Sequence, residues 1–438
     1  MSQYDDDFIF FGCWNNINCD KEYYYRDLVL DYIINNEKQV KKLYLAGDNW
    51  YNNIKPPIEG QTNNNIIKTY YKSILDTGYD KIYKMDKDTY IVLGNHDQDK
   101  TGDKNCLLNI QKEKIINLKL KSIFEEYTDM IYKDKEKDKK ELFDAFKNIF
   151  NKINKKHIKL YDDIGYKRCN NYNIIFINTN KIFVSGKDEN EKANRYISKL
   201  ENKIKIVTKG GNNKKIFVIG HHPIVSYKKK GDKEYVILGD IDISKRFYKL
   251  LTQYNCIYLC ADTHNFQISE ISLYNKISEE KISEDKNKLI QIVSGTGGAD
   301  PDYIEIKDIY NFESNDKIKN DNEEKYYKTK GYAINSYGYT KIGFKANNII
   351  VTYIKLTSSN DKIEKPINNP LIYQYTIDTH NNISQTTIQL NKSITFNDNS
   401  YKINKVKECT QKYLNKDDIA KTKDNKICFE KKKKRYKK

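Results

Sequence analysis

Tyr90-Ile91-Val92-Leu93-Gly94-Asn95-His96-Asp97 is the stretch on which the reading of this chain turns. Four apolar residues, two of them β-branched, form a buried-type strand, and a glycine ends it. A carboxamide, an imidazole and a carboxylate follow at once. The same design recurs along the chain. Lys42–Ala46 runs into Gly47-Asp48-Asn49-Trp50-Tyr51, Ile216–Ile219 into Gly220-His221-His222-Pro223, and Ile257–Leu259 into Cys260-Ala261-Asp262-Thr263-His264-Asn265-Phe266-Gln267. Of six histidines, four (His96, His221, His222 and His264) fall inside these motifs, and both tryptophans, Trp14 and Trp50, sit in or beside motif positions. Such clustering of scarce residues points to a common site. Carboxylate, carboxamide, imidazole and phenol are the hard-to-borderline ligands of divalent or trivalent cations.

Outward from the motifs, strands and helices alternate. Phe8–Phe11 reads as a short buried strand, Asp20–Gln39 as an amphipathic helix, Lys42–Ala46 as a strand and Ile66–Leu75 as a helix. Beyond Tyr90–Leu93, strands are expected at Ile174–Ile177, Ile216–Ile219, Ile257–Leu259 and Leu289–Val293, with helices over Glu189–Lys205 and near Ile243–Leu251. This alternation implies a largely parallel sheet covered on its faces, in which ligands gather at the carboxyl ends of the strands. Every motif falls at such an end.

Between about 98 and 168 the pattern is interrupted by a charged segment containing the run Lys133–Lys140, expected to form surface helices. Residues 275–288 and 311–330 read as further polar excursions. Gly338–Phe344 and Ile349–Lys355 flank a hairpin turn. After Ser358 the signal weakens to short strand-like pieces and ends in the basic run Lys431–Lys438, whose plain reading is a solvated end. These divisions give a domain over residues 6–357 and a basic extension over 358–438. The Lys228-Lys229-Lys230 run reads better as a solvated loop than as a phosphate cradle.

A net charge of +17 over 438 residues would attract a nucleic acid or an acidic partner, but no nucleic-acid module accompanies it. An abundance of Asn, Lys, Ile and Tyr is what an AT-rich coding bias yields. Met1–Asp7 is acidic and only four apolar residues follow, which does not fit a signal peptide, and no stretch offers the roughly 20 apolar residues of a membrane span. Eight cysteines without metal-finger spacing read as free thiols in a cytoplasmic or other reducing compartment. Oligomeric state has no signature here.

The motifs can hold two metal ions about 3.5–4 Å apart. A carboxylate between the ions offsets their repulsion, and Asp48 is the natural bridge. Asn95 and His221 suit one ion, and His264 with the phenol of Tyr51 suits the other. A phenolate favours Fe(III), so Fe paired with Fe, Mn or Zn is expected. His96 is the candidate general acid for a leaving oxygen.

With these residues the chain resembles the calcineurin-like metallophosphoesterases, and its Gly-Asp-x-x-Tyr form resembles their purple-acid-phosphatase branch. The likeness covers about residues 6–357, and Ser294–Gly298 and the Tyr339–Lys355 hairpin also look like the later part of that domain. It implies a four-layer α/β/β/α sandwich, here with charged insertions and a basic extension, around a dinuclear centre acting on a phosphorylated substrate. Two positions depart from the pattern. Gly12-Cys13-Trp14-Asn15 puts Cys13 where the family has a metal-binding aspartate, and Ala261-Asp262-Thr263-His264 puts Asp262 where it has a histidine. Both can still bind metal, the thiolate as the softer ligand. The resemblance implies a metal-dependent, acid-phosphatase-like phosphoesterase. Its alternative is an inactive pseudophosphatase acting as a scaffold or binding module, which Cys13 and Asp262 would explain.

Overall fold

The computed structural model describes residues 6–16, 25–49, 77–97, 158–183, 187–209, 214–230, 233–237, 241–278, 281–284, 288–302, 310–320, 323–360 and 363–390. The helix expected over Ile66–Leu75, the run Lys133–Lys140, Trp50, Tyr51 and the basic tail lie outside the described residues. The first strands are β1 (Phe8–Phe11), β2 (Lys42–Ala46), β3 (Asp88–Val92), β4 (Ile158–Tyr161), β5 (Gly165–Arg168), β6 (Tyr172–Phe176), β7 (Lys215–Ile219), β8 (Val225–Lys230), β9 (Lys233–Ile237) and β10 (Cys256–Cys260). They are followed by β11 (Phe266–Ser278), β12 (Lys281–Glu284), β13 (Leu289–Ser294), β14 (Tyr310–Asn320), β15 (Glu323–Ile334), β16 (Gly338–Lys345), β17 (Asn348–Asn360), β18 (Ile363–Ile377) and β19 (Ile383–Leu390). The helices are α1 (Tyr25–Asn36), α2 (Thr77–Lys84), α3 (Lys187–Thr208) and α4 (Ile241–Gln253).

The strands form two large sheets of like design. In the first, β1, β2, β3 and β4 run parallel, and β16 to β19 extend the β1 side as an antiparallel meander. In the second, β6, β7, β10 and β13 run parallel, and β11, β15 and β14 extend it antiparallel. The strand–helix alternation accounts for the parallel halves. The mixed α/β sandwich matches the fold class read from the sequence.

Strand alternation builds the core between the sheets. Phe8 and Phe10 of β1, Tyr44 of β2, and Phe176, Phe217, Ile219 and Leu259 from the second sheet share one buried cluster. The Phe8 ring lies 4.8 Å from Tyr44, 5.2 Å from Tyr172 and 5.4 Å from Phe217. Each such aromatic pair adds about 0.5–1.5 kcal/mol beyond its buried area. On the other face of the second sheet, α3 buries Ala193, Ile197, Leu200 and Ile204, and α4 buries Ile243, Phe247, Leu250 and Leu251. These three- and four-residue spacings make each helix amphipathic. Helix α1 meets the first sheet where Tyr32 lies 6.0 Å from Tyr339. No helix among the described residues is long and apolar enough to cross a membrane.

Several expectations are corrected. The charged segment up to 168 does not end in helix, because Ile158–Tyr161 pairs with β3 and Gly165–Arg168 pairs with β6. The polar excursions at 275–288 and 311–330 are largely strand: β11 runs on to Ser278, and β14 and β15 form a long hairpin. Backbone pairing carries these ribbons, so they lack the apolar alternation that marks a half-buried strand. After Ser358 the chain forms two full strands, β18 and β19, that continue the first sheet.

Candidate metal centre

The carboxyl ends of β1, β2 and β3 meet those of β7, β10 and β13 along one edge of the sandwich. The approach is close. A Cβ on Gly12 would stand 2.6 Å from the Cβ of Ala261, and one on Gly94 would stand 2.2 Å from Asp48 Oδ1. At three strand ends the second residue beyond the strand is left-handed: Cys13 has φ 52°, Asp48 51° and Asp262 55°. That conformation costs roughly 1–2 kcal/mol outside glycine, less for Asp with its short polar side chain. Sheet pairing on either side holds each of the three turns in place.

Asp48 is the hub. Its Oδ1 accepts the His96 backbone N–H at 2.9 Å and lies 3.2 Å from His221 Nε2, while its Oδ2 faces Cys13 Sγ at 3.9 Å. Burial raises the carboxyl pKa, but the charge and hydrogen bond of His221, aided by His96, outweigh it and hold Asp48 well below the usual carboxylate range. His221 donates Nδ1–H to the Ala46 carbonyl at 2.7 Å, which leaves Nε2 facing oxygens of Asn95 at 2.9 Å, Asp48 at 3.2 Å and Asp262 at 3.7 Å. A lone pair aimed at oxygens is repulsive unless a cation lies between them. Without metal a proton serves: burial opposes it, yet Asp48 and Asp262 push His221 up to about 9. His264 is fixed in the same tautomer, donating Nδ1–H to the Asp300 carbonyl at 2.6 Å. Carbonyl-oriented imidazoles of this kind are characteristic of metal ligands.

Two groups of ligand atoms result. Those of Cys13, Asp48 and His264 lie within 4.8 Å of one another, and so do those of His221, His222 and Asp262. His222 does not present a free Nδ1. Thr179 Oγ1 accepts the backbone N–H of His221 and of His222 at 3.1 Å each, so its own hydroxyl proton goes to His222 Nδ1 at 2.8 Å. The Nε2 of His222 therefore carries the ring proton, and burial with the neighbouring His221 holds the pKa near 4. His222 is a neutral donor in this arrangement.

The structure thus brings Cys13, Asp48, Asn95, His221, Asp262 and His264 to one edge, with the exposed His96 beside them. Tyr51, expected as a ligand, lies outside the described residues. Sequence reasoning missed the bracing residues. Buried Asp97 accepts N–H groups from Gly94 at 2.8 Å, from the Asn49 backbone at 3.1 Å and from Asn49 Nδ2 at 2.8 Å. Burial, then the nearby Asp48 charge, pushes Asp97 up to about 7. The Asn49 side chain also caps the Val92 carbonyl at 2.8 Å and receives Trp14 Nε1–H at 3.0 Å. A carboxylate three residues after a strand-ending glycine was the available signal for Asp97. Thr179 gave none.

The calcineurin-like phosphoesterase family model matches residues 7–266, more than half of the chain, and the chain belongs to that family. Members typically hold two metal ions and hydrolyse phosphoesters, and the groups above are candidate ligands. No curated protein matches the chain. Among solved structures, it is similar to a Staphylococcus aureus protein provisionally described as a 5'-nucleotidase, crystallised with α-ketoglutarate, at 9% identity and a TM-score of 0.29. That comparison covers 93% of this chain and 58% of the other, so the chain spans little more than half of that protein's length.

Proposed function

We propose that this protein hydrolyses phosphate esters at a dinuclear metal centre of the purple-acid-phosphatase type. One observation carries the reading: Asp48 turns one carboxylate oxygen toward each ligand group, Oδ2 to Cys13 and Oδ1 to His221. A single carboxylate shared in this way is what a two-ion site requires. Cys13, His264 and Tyr51 complete the first ion's set, and Asn95, His221 and Asp262 the second's. The donors fit such ions, since His221 Nε2 already needs a cation to face three oxygens. When bound, the ions would supply positive charge against the phosphoryl oxygens and acidify water, with Fe beside Fe, Mn or Zn as the expected pair.

The chain's own residues do the rest. Asp48 and His221 keep their positions because Ala46 and the His96 backbone hold them. His96, exposed at the rim with its backbone tied to Asp48, is the group that can hand a proton to the leaving oxygen. The test is hydrolysis of an aryl phosphate by protein loaded in turn with Fe, Mn, Zn and Mg, beside His96→Ala and Asp48→Asn. Metal-dependent turnover that both substitutions abolish supports the proposal. A folded, metal-loaded protein with no turnover would sink it in favour of the pseudophosphatase reading, which Cys13 and Asp262 motivate.

A further inference from the structure

Lys228 opens the lysine run read from sequence as a solvated loop, yet its setting is that of a built side chain. The segment before it is clamped by buried amides from the second sheet. Gln291 accepts the Ile224 N–H through Oε1 at 2.8 Å and donates to the Val225 carbonyl. Gln267 accepts the Tyr227 N–H at 3.0 Å and donates to the Tyr227 carbonyl at 2.7 Å, where Asn265 Nδ2 joins at 3.1 Å. Ser226 Oγ and Thr263 Oγ1 are 2.7 Å apart. Asn265, Gln267 and Gln291 are all buried, so the chain reaches residue 228 from a fixed point.

From there the side chain points to the metal edge. Its Nζ lies 3.6 Å from Asp302 Oδ2, the oxygen that also accepts the His264 backbone N–H at 3.0 Å. The charges of Asp262, Asp302 and Cys13 act on it and hold its pKa above the ordinary lysine value although burial opposes this. At 3.6 Å the contact with Asp302 is an ion pair too long for a good hydrogen bond, so the ammonium keeps donors to offer. A quarter of the side chain remains open to solvent.

We infer that Lys228 is a substrate-binding residue that takes a non-bridging oxygen of a terminal phosphoryl group and so favours a dianionic phosphoryl group over a monoanionic one. The inference rests on the phosphoesterase reading. A cation held beside Asp302 and within the field of Asp262 offsets negative charge at the centre and rewards a ligand with two negative oxygens. A diester offers one negative charge and gains less.

The test is calorimetric binding of inorganic phosphate to the full chain loaded with Mn(II), with bound metal measured alongside. Lys228→Met should weaken phosphate binding about tenfold at unchanged metal content, and Lys228→Arg should recover most of the loss. Where turnover is measurable, Lys228→Met should raise KM for an aryl phosphate about tenfold, leave kcat within about threefold, and shrink the preference for monoester over diester. Unchanged phosphate affinity, loss of metal from Lys228→Met, or a wild-type chain that binds no phosphate would each overturn the inference. A chain that binds phosphate through Lys228 yet hydrolyses nothing would refute the catalytic reading and reduce Lys228 from a substrate-binding to a phosphate-binding residue.

Discussion

The two halves of the candidate centre are braced by opposite chemistry. The first-sheet half, with Cys13, Asp48 and Asn95, hangs from strand ends tied by N–H donors converging on Asp97. The second-sheet half, with His221, Asp262 and His264, has its imidazoles oriented by carbonyls of Ala46 and Asp300. A buried carboxyl gathers loops that carry acids, and carbonyls gather rings that must present a bare nitrogen. Each half holds one of the two residues that the sequence reading set apart from the family motifs, Cys13 and Asp262, and both stand in left-handed turns of the same kind. The turn is the feature that Cys13, Asp48 and Asp262 hold in common.

Because Asp48 contacts both halves, it is where the comparison should break most severely. Asp48→Asn is expected to weaken both ions by at least about a hundredfold, beyond the usual effect of an outer partner. Metal retained per chain after dialysis checks this, and loss of one ion alone would remove Asp48 as the bridge. Asp97→Asn should destabilise the fold by about 2 kcal/mol, since an amide NH2 would then face N–H donors. Thr179→Val, the matching change in the other half, should cost about 1–2 kcal/mol through the two orphaned amides. Urea midpoints give both values, and a costlier Thr179→Val would reverse the ranking of the halves. Cys13→Asp should shift preference from Zn toward Mn by about tenfold in competition titrations, with the His221 side unaffected.

The smallest effect lies at the far end of the second sheet. Lys215, at the start of β7, donates to Asn255 at 3.0 Å and Asn381 at 2.7 Å, and burial holds its pKa at about 8. Between about pH 8 and the ordinary lysine value the unfolded chain binds more protons, so stability from this residue rises with pH across that window. Below it the cost of burying the charge is fully present. Lys215→Met should flatten the rise, and a wild-type minus variant difference independent of pH from 7.5 to 10 would contradict it.

What was legible in the sequence was whatever buried apolar side chains announce. β2 was bounded correctly as Lys42–Ala46, and β7, β10 and β13 were found within a residue, because continuous apolar runs leave little choice. The ribbon β14–β15 was not legible, since its polar-rich sequence carries no sustained apolar period. Lys228 was misread because its neighbours in sequence are lysines, while its place is decided by Gln267 and Gln291, some 40 and 63 residues away. At the site, the candidate ligands stand in motifs that could be read from the sequence. The braces could not, because Thr179 resembles any other threonine until the fold sets it beneath His222.

The left-handed turns at Cys13, Asp48 and Asp262 have a consequence for the size of ion admitted. Each turn is seated at the end of a strand within a sheet, which fixes the backbone from which its side chain reaches. If these residues hold the ions, a site built on such fixed backbones should sort cations by radius as well as by charge. Ions bonding oxygen near 2.0–2.2 Å would fit it, and Ca(II), which bonds at 2.3–2.6 Å and asks for more ligands, would be turned away.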